Sequence, residues 1–228
     1  MHMTAAEAMR ALEAMGTAQN RKIYARHGVP EKQFGVSFAN LGKPAKQIKT
    51  DHVLAGQLWA TGNADARLLA TMIADPALTA EKQLRTWIKD STYYVLADAV
   101  SKFASRTKHA RACMDRWIAS KEEFTAAAGW TLVAIFSGDP SIPDAYFAER
   151  VSKAERNIPT AKNRTKHAMN MALIGIGLRN AKLKKQVLAA AKRIGPVEVD
   201  HGETGCKTPE IASYIAKTEA YRARKKSV

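Results

Sequence analysis

Residues 63–105 read NADARLLATMIADPALTAEKQLRTWIKDSTYYVLADAVSKFAS. Apolar side chains recur there at three- and four-residue spacing and β-branched alternation is nearly absent, a pattern of amphipathic helices rather than strands. Breaks in the pattern divide the stretch into three. Asp75-Pro76 ends the first helix, because proline lacks an N–H and disfavours helical geometry in the residue before it. Thr79-Ala80-Glu81-Lys82 opens the second with a capping hydroxyl and an acid in the first turn, where the helix dipole favours negative charge. The spacing predicts helices over 63–74, 79–89 and 92–105.

The same periodicity runs outward in both directions, predicting helices near 4–15, 18–27, 43–60, 107–119, 121–137, 144–156, 160–178, 180–193 and 208–223. Gly138-Asp139-Pro140 and Gly195-Pro196 are further stops, and Thr107, Ser120 and Thr160 are candidate N-caps. Successive helix pairs of about 35–45 residues separated by short turns match the period of helical-repeat proteins. The expected architecture is all-α, a curved solenoid (α–α superhelix) of antiparallel helix pairs, with a concave face wide enough for a duplex. It is expected to form one domain over 1–228, with 196–207 a polar, glycine-containing loop. The basic tail 221–228 reads either as a solvated, fraying end or as a binding arm.

The 228 residues carry 36 Lys and Arg against 21 Asp and Glu, a net charge of +15 that exceeds what solubility requires and implies a polyanionic partner. Its distribution is uneven: residues 150–228 hold 18 basic and 6 acidic side chains, so most of the surplus lies in the last third. Only two cysteines are present, Cys113 and Cys206, which argues against a disulfide framework and suits a reducing cytoplasm. No apolar run approaches the roughly 18 residues of a membrane span, and the start lacks the apolar centre of a signal peptide. A cytoplasmic protein, monomeric and away from membranes, is expected. There is no phosphate-binding glycine loop, nucleophile elbow or dinucleotide fingerprint, which leaves nucleotide hydrolysis, esterase and redox chemistry without a sequence basis.

Several residues carry candidate chemistry. Tyr94 and Asp98 stand at i, i+4, on one helix face, and Asp98 reads either as a groove-facing carboxylate or as an ion-paired helix acid. Tyr93, Tyr94, Trp87, Trp117 and Trp130 could stack on bases, although aromatics at helical spacing commonly belong to the core, as expected for Trp87 and Trp117. Trp130 follows Ala126-Ala127-Ala128-Gly129, a run that permits close approach of either a ligand or a neighbouring helix. In 162–170, Arg164 and Lys166 would take phosphates while Asn163, His167 and Asn170 add neutral hydrogen bonds, positioning a duplex without reading its sequence. Asn170 lies in an otherwise apolar stretch, and a buried Asn needs partners. Asp200, His201, Glu203 and Cys206 gather possible metal ligands in one loop, but no second pair of ligands accompanies them, so no metal site and no cofactor are expected.

Three segments resemble the DNA alkylation repair family, whose best-studied branch consists of HEAT-like-repeat DNA glycosylases. They are Phe34-Gly35-Val36-Ser37 through Leu41-Gly42-Lys43-Pro44-Ala45-Lys46 and on to Leu58-Trp59 and Asp65-Ala66-Arg67-Leu68-Leu69-Ala70; then Ser91-Thr92-Tyr93-Tyr94-Val95-Leu96-Ala97-Asp98-Ala99-Val100 with Arg116-Trp117-Ile118-Ala119-Ser120; then Asn163-Arg164-Thr165-Lys166-His167-Ala168-Met169-Asn170. The resemblance covers roughly residues 20–195. It implies HEAT-like helix pairs, binding of damaged double-stranded DNA and hydrolysis of the N-glycosidic bond of cationic N3- or N7-alkylpurines without a cofactor. A carboxylate one turn after an aromatic residue would stabilise the oxocarbenium-like transition state. Those two positions fall on Tyr93 and Ala97 when aligned without a gap, and on Tyr94 and Asp98 when shifted by one. A further aromatic of the branch falls near Met171 and its DNA-contacting arginine near Ala127. These departures sustain an alternative, a HEAT-like scaffold that binds nucleic acid or an acidic protein without chemistry.

Overall fold

In the computed structural model, which describes residues 3–226, thirteen α-helices, one 3₁₀ turn and no strand are found among the described residues. The chain packs as two compact units, residues 1–111 with 202–204, and residues 112–201 with 205–228.

The first unit contains α1 (Ala5–Met15), α2 (Ala18–Arg26), α3 (Phe38–Ile48), α4 (His52–Ala60), α5 (Ala64–Ile73), α6 (Glu81–Lys89) and α7 (Tyr94–Ala104), and the chain passes into the second unit within α8 (Ala110–Trp117). Helices α1, α3, α5 and α7 pack successively, with α4 against α5 and α6 against α7. Such packing of every second helix is the arrangement of stacked helix pairs. Leu12, Leu41, Leu58, Leu69, Ile73, Leu84, Leu96, Val100 and Phe103 form the core. Trp59 and Trp87 stack there with centroids 4.3 Å apart and planes at 7°.

The residues expected as one helix over 43–60 form two. Lys49 at φ 64° turns the chain, and the Asp51 carboxylate caps the new helix by accepting from Leu54 N–H at 2.9 Å. Ser37 caps α3 in the same way, so that helix starts ahead of Pro44, which it carries in its interior. Of the expected caps, Thr107 and Ser120 accept from backbone N–H groups two residues on, whereas Thr79 and Thr160 donate backwards to carbonyls.

The buried Asp65 organises the entry to α3. Its carboxylate accepts from the N–H groups of Phe34 (2.6 Å), Gly35 (3.1 Å) and Val36 (3.0 Å). A buried carboxylate persists only when such donors replace its hydration. Gly35, at φ 79°, permits the turn that aims the three amides at one side chain.

The second unit contains the remainder of α8 with α9 (Glu123–Phe136), α10 (Asp144–Asn157), the 3₁₀ turn Ile158–Thr160, α11 (Asn163–Gly177), α12 (Ala181–Ile194) and α13 (Ile211–Lys226). Helices α9, α11 and α13 form one row, α10 and α12 another. Small residues set the spacing: a Cβ on Gly129 would lie 2.4 Å from Ile118 N, and one on Gly175 2.8 Å from Ser137 Oγ. Arg179 ties the α9–α10 turn together, donating to Asp144 Oδ1 and to the carbonyls of Ser137, Asp139 and Ile142.

Candidate nucleic-acid interface

Helix α7 buries Leu96, Ala97, Val100, Phe103 and Ala104 and turns Asp98 outward, with Tyr94 half-buried one turn before it. Asp98, not Ala97, therefore occupies the open side of the helix. Tyr94, Asp98, Lys102 and Arg106 line a cleft of about 530 Å³, whose other walls include Phe38 and Met72. Its bottom is largely apolar, and its rim carries one carboxylate and two cations. A smaller cavity of about 230 Å³ adjoins it through Phe38, Tyr94 and Val95 and is lined further by Tyr24 and His27. His27 Nδ1 lies 2.6 Å from the Tyr94 hydroxyl, which fixes the ring at the boundary of the two spaces.

Tyr93, expected at the interface, is 2% exposed and its hydroxyl meets no hydrogen-bond partner. Burial, reinforced by the Asp65 charge, holds its pKa far above the ordinary tyrosine value. At the N-cap position of α7 its side chain turns inward while Tyr94 turns to the cleft. Trp130, a candidate for the interface, is fully buried. The small residues before it serve helix packing, since Gly129 lies against the α8 backbone. Trp87 and Trp117 are core residues as expected, each 3% exposed.

The face of α11 expected to meet DNA holds a piece of this chain instead. Residues 195–210 form no regular element, and α11 grips them at three levels. Asn163 donates to Asp200 O and accepts from Asp200 N–H. One turn on, His167 Nδ1 lies 3.1 Å from Thr208 Oγ1, which His201 Nε2 also approaches at 2.9 Å; the two imidazoles meet edge to face. Finally Asn170, 1% exposed, donates through its amide nitrogen to Pro209 O at 2.9 Å, while its Oδ1 meets no hydrogen-bond partner. Burial, with the nearby charges of Arg164 and His201, lowers the His167 pKa to about 4, so its ring is neutral at pH 7. His167 and Asn170 thus hold a strap. Arg164 and Lys166 are half-buried at the start of the same helix, where Glu123 Oε1 accepts from Arg164 N–H at 2.6 Å.

The polar loop 196–207 packs against α11 through Asp200 and His201. Among the described residues no three His, Cys, Asp or Glu side chains gather to hold a metal ion, and no helix is long and apolar enough to cross a membrane.

Phe38, Lys102 and Arg106 of the cleft and His27 of the adjoining cavity are residues that sequence reasoning passed over. Lys102 and Arg106 continue the four-residue stripe of Tyr94 and Asp98, a signal that was present. His27 and Phe38 come from distant helices and gave none.

The family model described as DNA alkylation repair enzyme matches residues 8–204. The chain belongs to the DNA alkylation repair family. Its fold is that of the HEAT-like repeat proteins. A solved structure, described as a new family of proteins related to the HEAT-like repeat DNA glycosylases with affinity for branched DNA structures, superposes with a TM-score of 0.88 at 31% identity. That match covers 97% of this chain and 96% of the other. The uncharacterized proteins Lin0241 of Listeria innocua and Lmo0209 of Listeria monocytogenes are each 27% identical over 212 residues, covering 90% of this chain and 93% of theirs. In this member of the DNA alkylation repair family Asp98 is exposed one turn after Tyr94 at the α7 cleft, Ala127 is buried and Met171 is half-buried.

Proposed function

We propose that this member of the DNA alkylation repair family binds DNA that departs from a straight duplex, branched structures above all, with the α7 cleft receiving a distorted nucleotide. The observation that carries this reading is the likeness, over nearly the whole chain, to a protein related to the HEAT-like DNA glycosylases with affinity for branched DNA. The charge agrees: most of the net +15 lies beyond residue 150, and Lys102 and Arg106 rim the cleft. Phosphates would meet the basic side chains, and an extruded sugar or base would lie on Phe38 and Tyr94. Fluorescence anisotropy with a four-way junction and a linear duplex of equal length tests it. The junction is expected to bind more tightly, and both affinities to fall steeply with salt. Equal or salt-independent binding would reject the reading.

A second reading, excision of cationic alkylpurines, is favoured by the exposure of Asp98 beside Tyr94. The C1′–N bond would break with its electron pair going to the cationic base, which leaves neutral, and water would add to C1′ and give up a proton to solvent. The Asp98 carboxylate would stabilise the positive charge developing on the sugar. Release of 3-methyladenine and 7-methylguanine from alkylated duplex by excess protein, and its loss in Asp98→Asn, is the expected result under this reading. No release alongside junction binding leaves the protein a binder.

A further inference from the structure

Among the described residues, helix α13 buries side chains only in its first half. Ile211 and Ile215, 3% and 1% exposed, are its buried side chains, and a Cβ on Gly177 of α11 would lie 2.5 Å from Ile215 Cδ1. Glu210 caps the helix, accepting from Ala212 N–H and Ser213 N–H. From Glu219 to Lys225 every side chain is exposed.

What α13 exposes is patterned. Tyr214, Lys217, Tyr221 and Arg224 follow one another at intervals of three, four and three, and so form one stripe along the helix. Tyr214 is 41% exposed and Tyr221 57%. Lys225 Nζ lies 5.3 Å from the centre of the Tyr221 ring, placing a cation beside an accessible aromatic. The one acid within the helix, Glu219, is drawn to Lys184 of α12 at 2.9 Å. Lys182, Lys185 and Lys192 of α12 are exposed in the same unit.

We infer that this stripe is a second nucleic-acid contact, one that grips single-stranded DNA; the inference rests on the DNA-binding reading above. Exposed rings alternating with cations match a strand whose bases are unpaired: bases stack on the tyrosines and phosphates meet Lys217, Arg224 and Lys225. The seven steps from Tyr214 to Tyr221 rise roughly 10 Å along the helix, the reach of about three stacked bases. A paired duplex buries its base faces and offers the rings nothing. The stripe carries no Leu, Ile, Phe or Trp to enter a bilayer, which argues against a lipid surface. Branched DNA with single-stranded arms would thus be held at a site that a closed four-way junction leaves unused.

Anisotropy of the full chain on four probes tests this: a single-stranded oligonucleotide, a fork with splayed arms, a closed four-way junction and a linear duplex. Tyr214→Ala/Tyr221→Ala is expected to weaken the single strand and the fork roughly tenfold or more, and the junction and duplex less than twofold. Tyr214→Phe/Tyr221→Phe, which keeps the rings, is expected to bind as wild type does. Thermal melting of each variant verifies that the fold is intact. Unchanged single-strand affinity in the alanine variant overturns the inference, as does an equal loss on all four probes. So does an effect of the variant on phosphatidylserine vesicles alone. The branched-DNA reading fails separately, when wild-type protein shows no preference for the junction over the duplex.

Discussion

Asn163 holds the backbone of Asp200 at both ends, its carboxamide donating to the carbonyl at 2.5 Å and accepting from the N–H at 2.8 Å. The pairing completes what a β-strand neighbour would offer, and it fastens a segment without secondary structure to the start of α11. Each such bond contributes about 1 kcal/mol net. Asn163→Ala is therefore expected to raise local opening of 195–210 about tenfold or more. Limited trypsin digestion, followed at the exposed Lys207, reads this directly; an unchanged cleavage rate would show that the strap is held elsewhere.

The strap also makes the protein acid-sensitive. His167 titrates near 6.5 when unfolded and at about 4 in the folded chain, because burial, Arg164 and His201 oppose its protonation. Between those values the unfolded state binds more protons, so this residue's contribution to stability is complete above about pH 6.5 and lost progressively as pH falls towards 4. Urea midpoints at pH 7, 5.5 and 4.5 are expected to fall less in His167→Gln than in wild type over that window. Parallel pH dependences would remove His167 as a cause.

Asp65 is expected to be the most sensitive polar residue of the first unit. Asp65→Asn removes the charge and keeps one acceptor oxygen, so its NH₂ is turned either towards the Val36 N–H or towards those of Phe34 and Gly35. A cost of about 3 kcal/mol is expected, read as a lower urea midpoint with an unchanged slope. A loss below about 1 kcal/mol would mean that water replaces the carboxylate there.

Two glycines in helices should respond in opposite directions. Gly129→Ala forces a Cβ to within 2.4 Å of the Ile118 nitrogen and is expected to destabilise by about 1–3 kcal/mol. Gly56→Ala in α4 meets nothing within 4 Å and is expected to stabilise by about 0.5–1 kcal/mol, through the lower entropy of the unfolded chain. Thermal melting of the pair checks both signs.

Much of the candidate site was legible for a local reason. Tyr94 and Asp98 share a helix face because of their spacing alone, and α7 turns that face outward. The inward turn of Tyr93 was not legible, since a residue at a helix entry can point either way until a neighbour such as Asp65 defines the interior. The break at Lys49 escaped notice because the apolar pattern runs through it, while the positive φ of a lysine has no sequence signal. His27 reaches Tyr94 across 67 residues, a distance over which periodicity says nothing.

Helical class, the proline-marked turns and the concentration of charge beyond residue 150 follow from the sequence itself, because they depend on neighbours within a turn or two and on composition. The requirement that Asn170 find a partner was also readable, since a buried amide N–H needs an acceptor. That the partner is Pro209, and that α11 therefore binds its own strap where a DNA backbone was expected, was decided only by tertiary structure. A polar helix face suits solvent, phosphate or peptide backbone equally well, and the choice among them is made by the segment, some forty residues away, that the fold carries onto it.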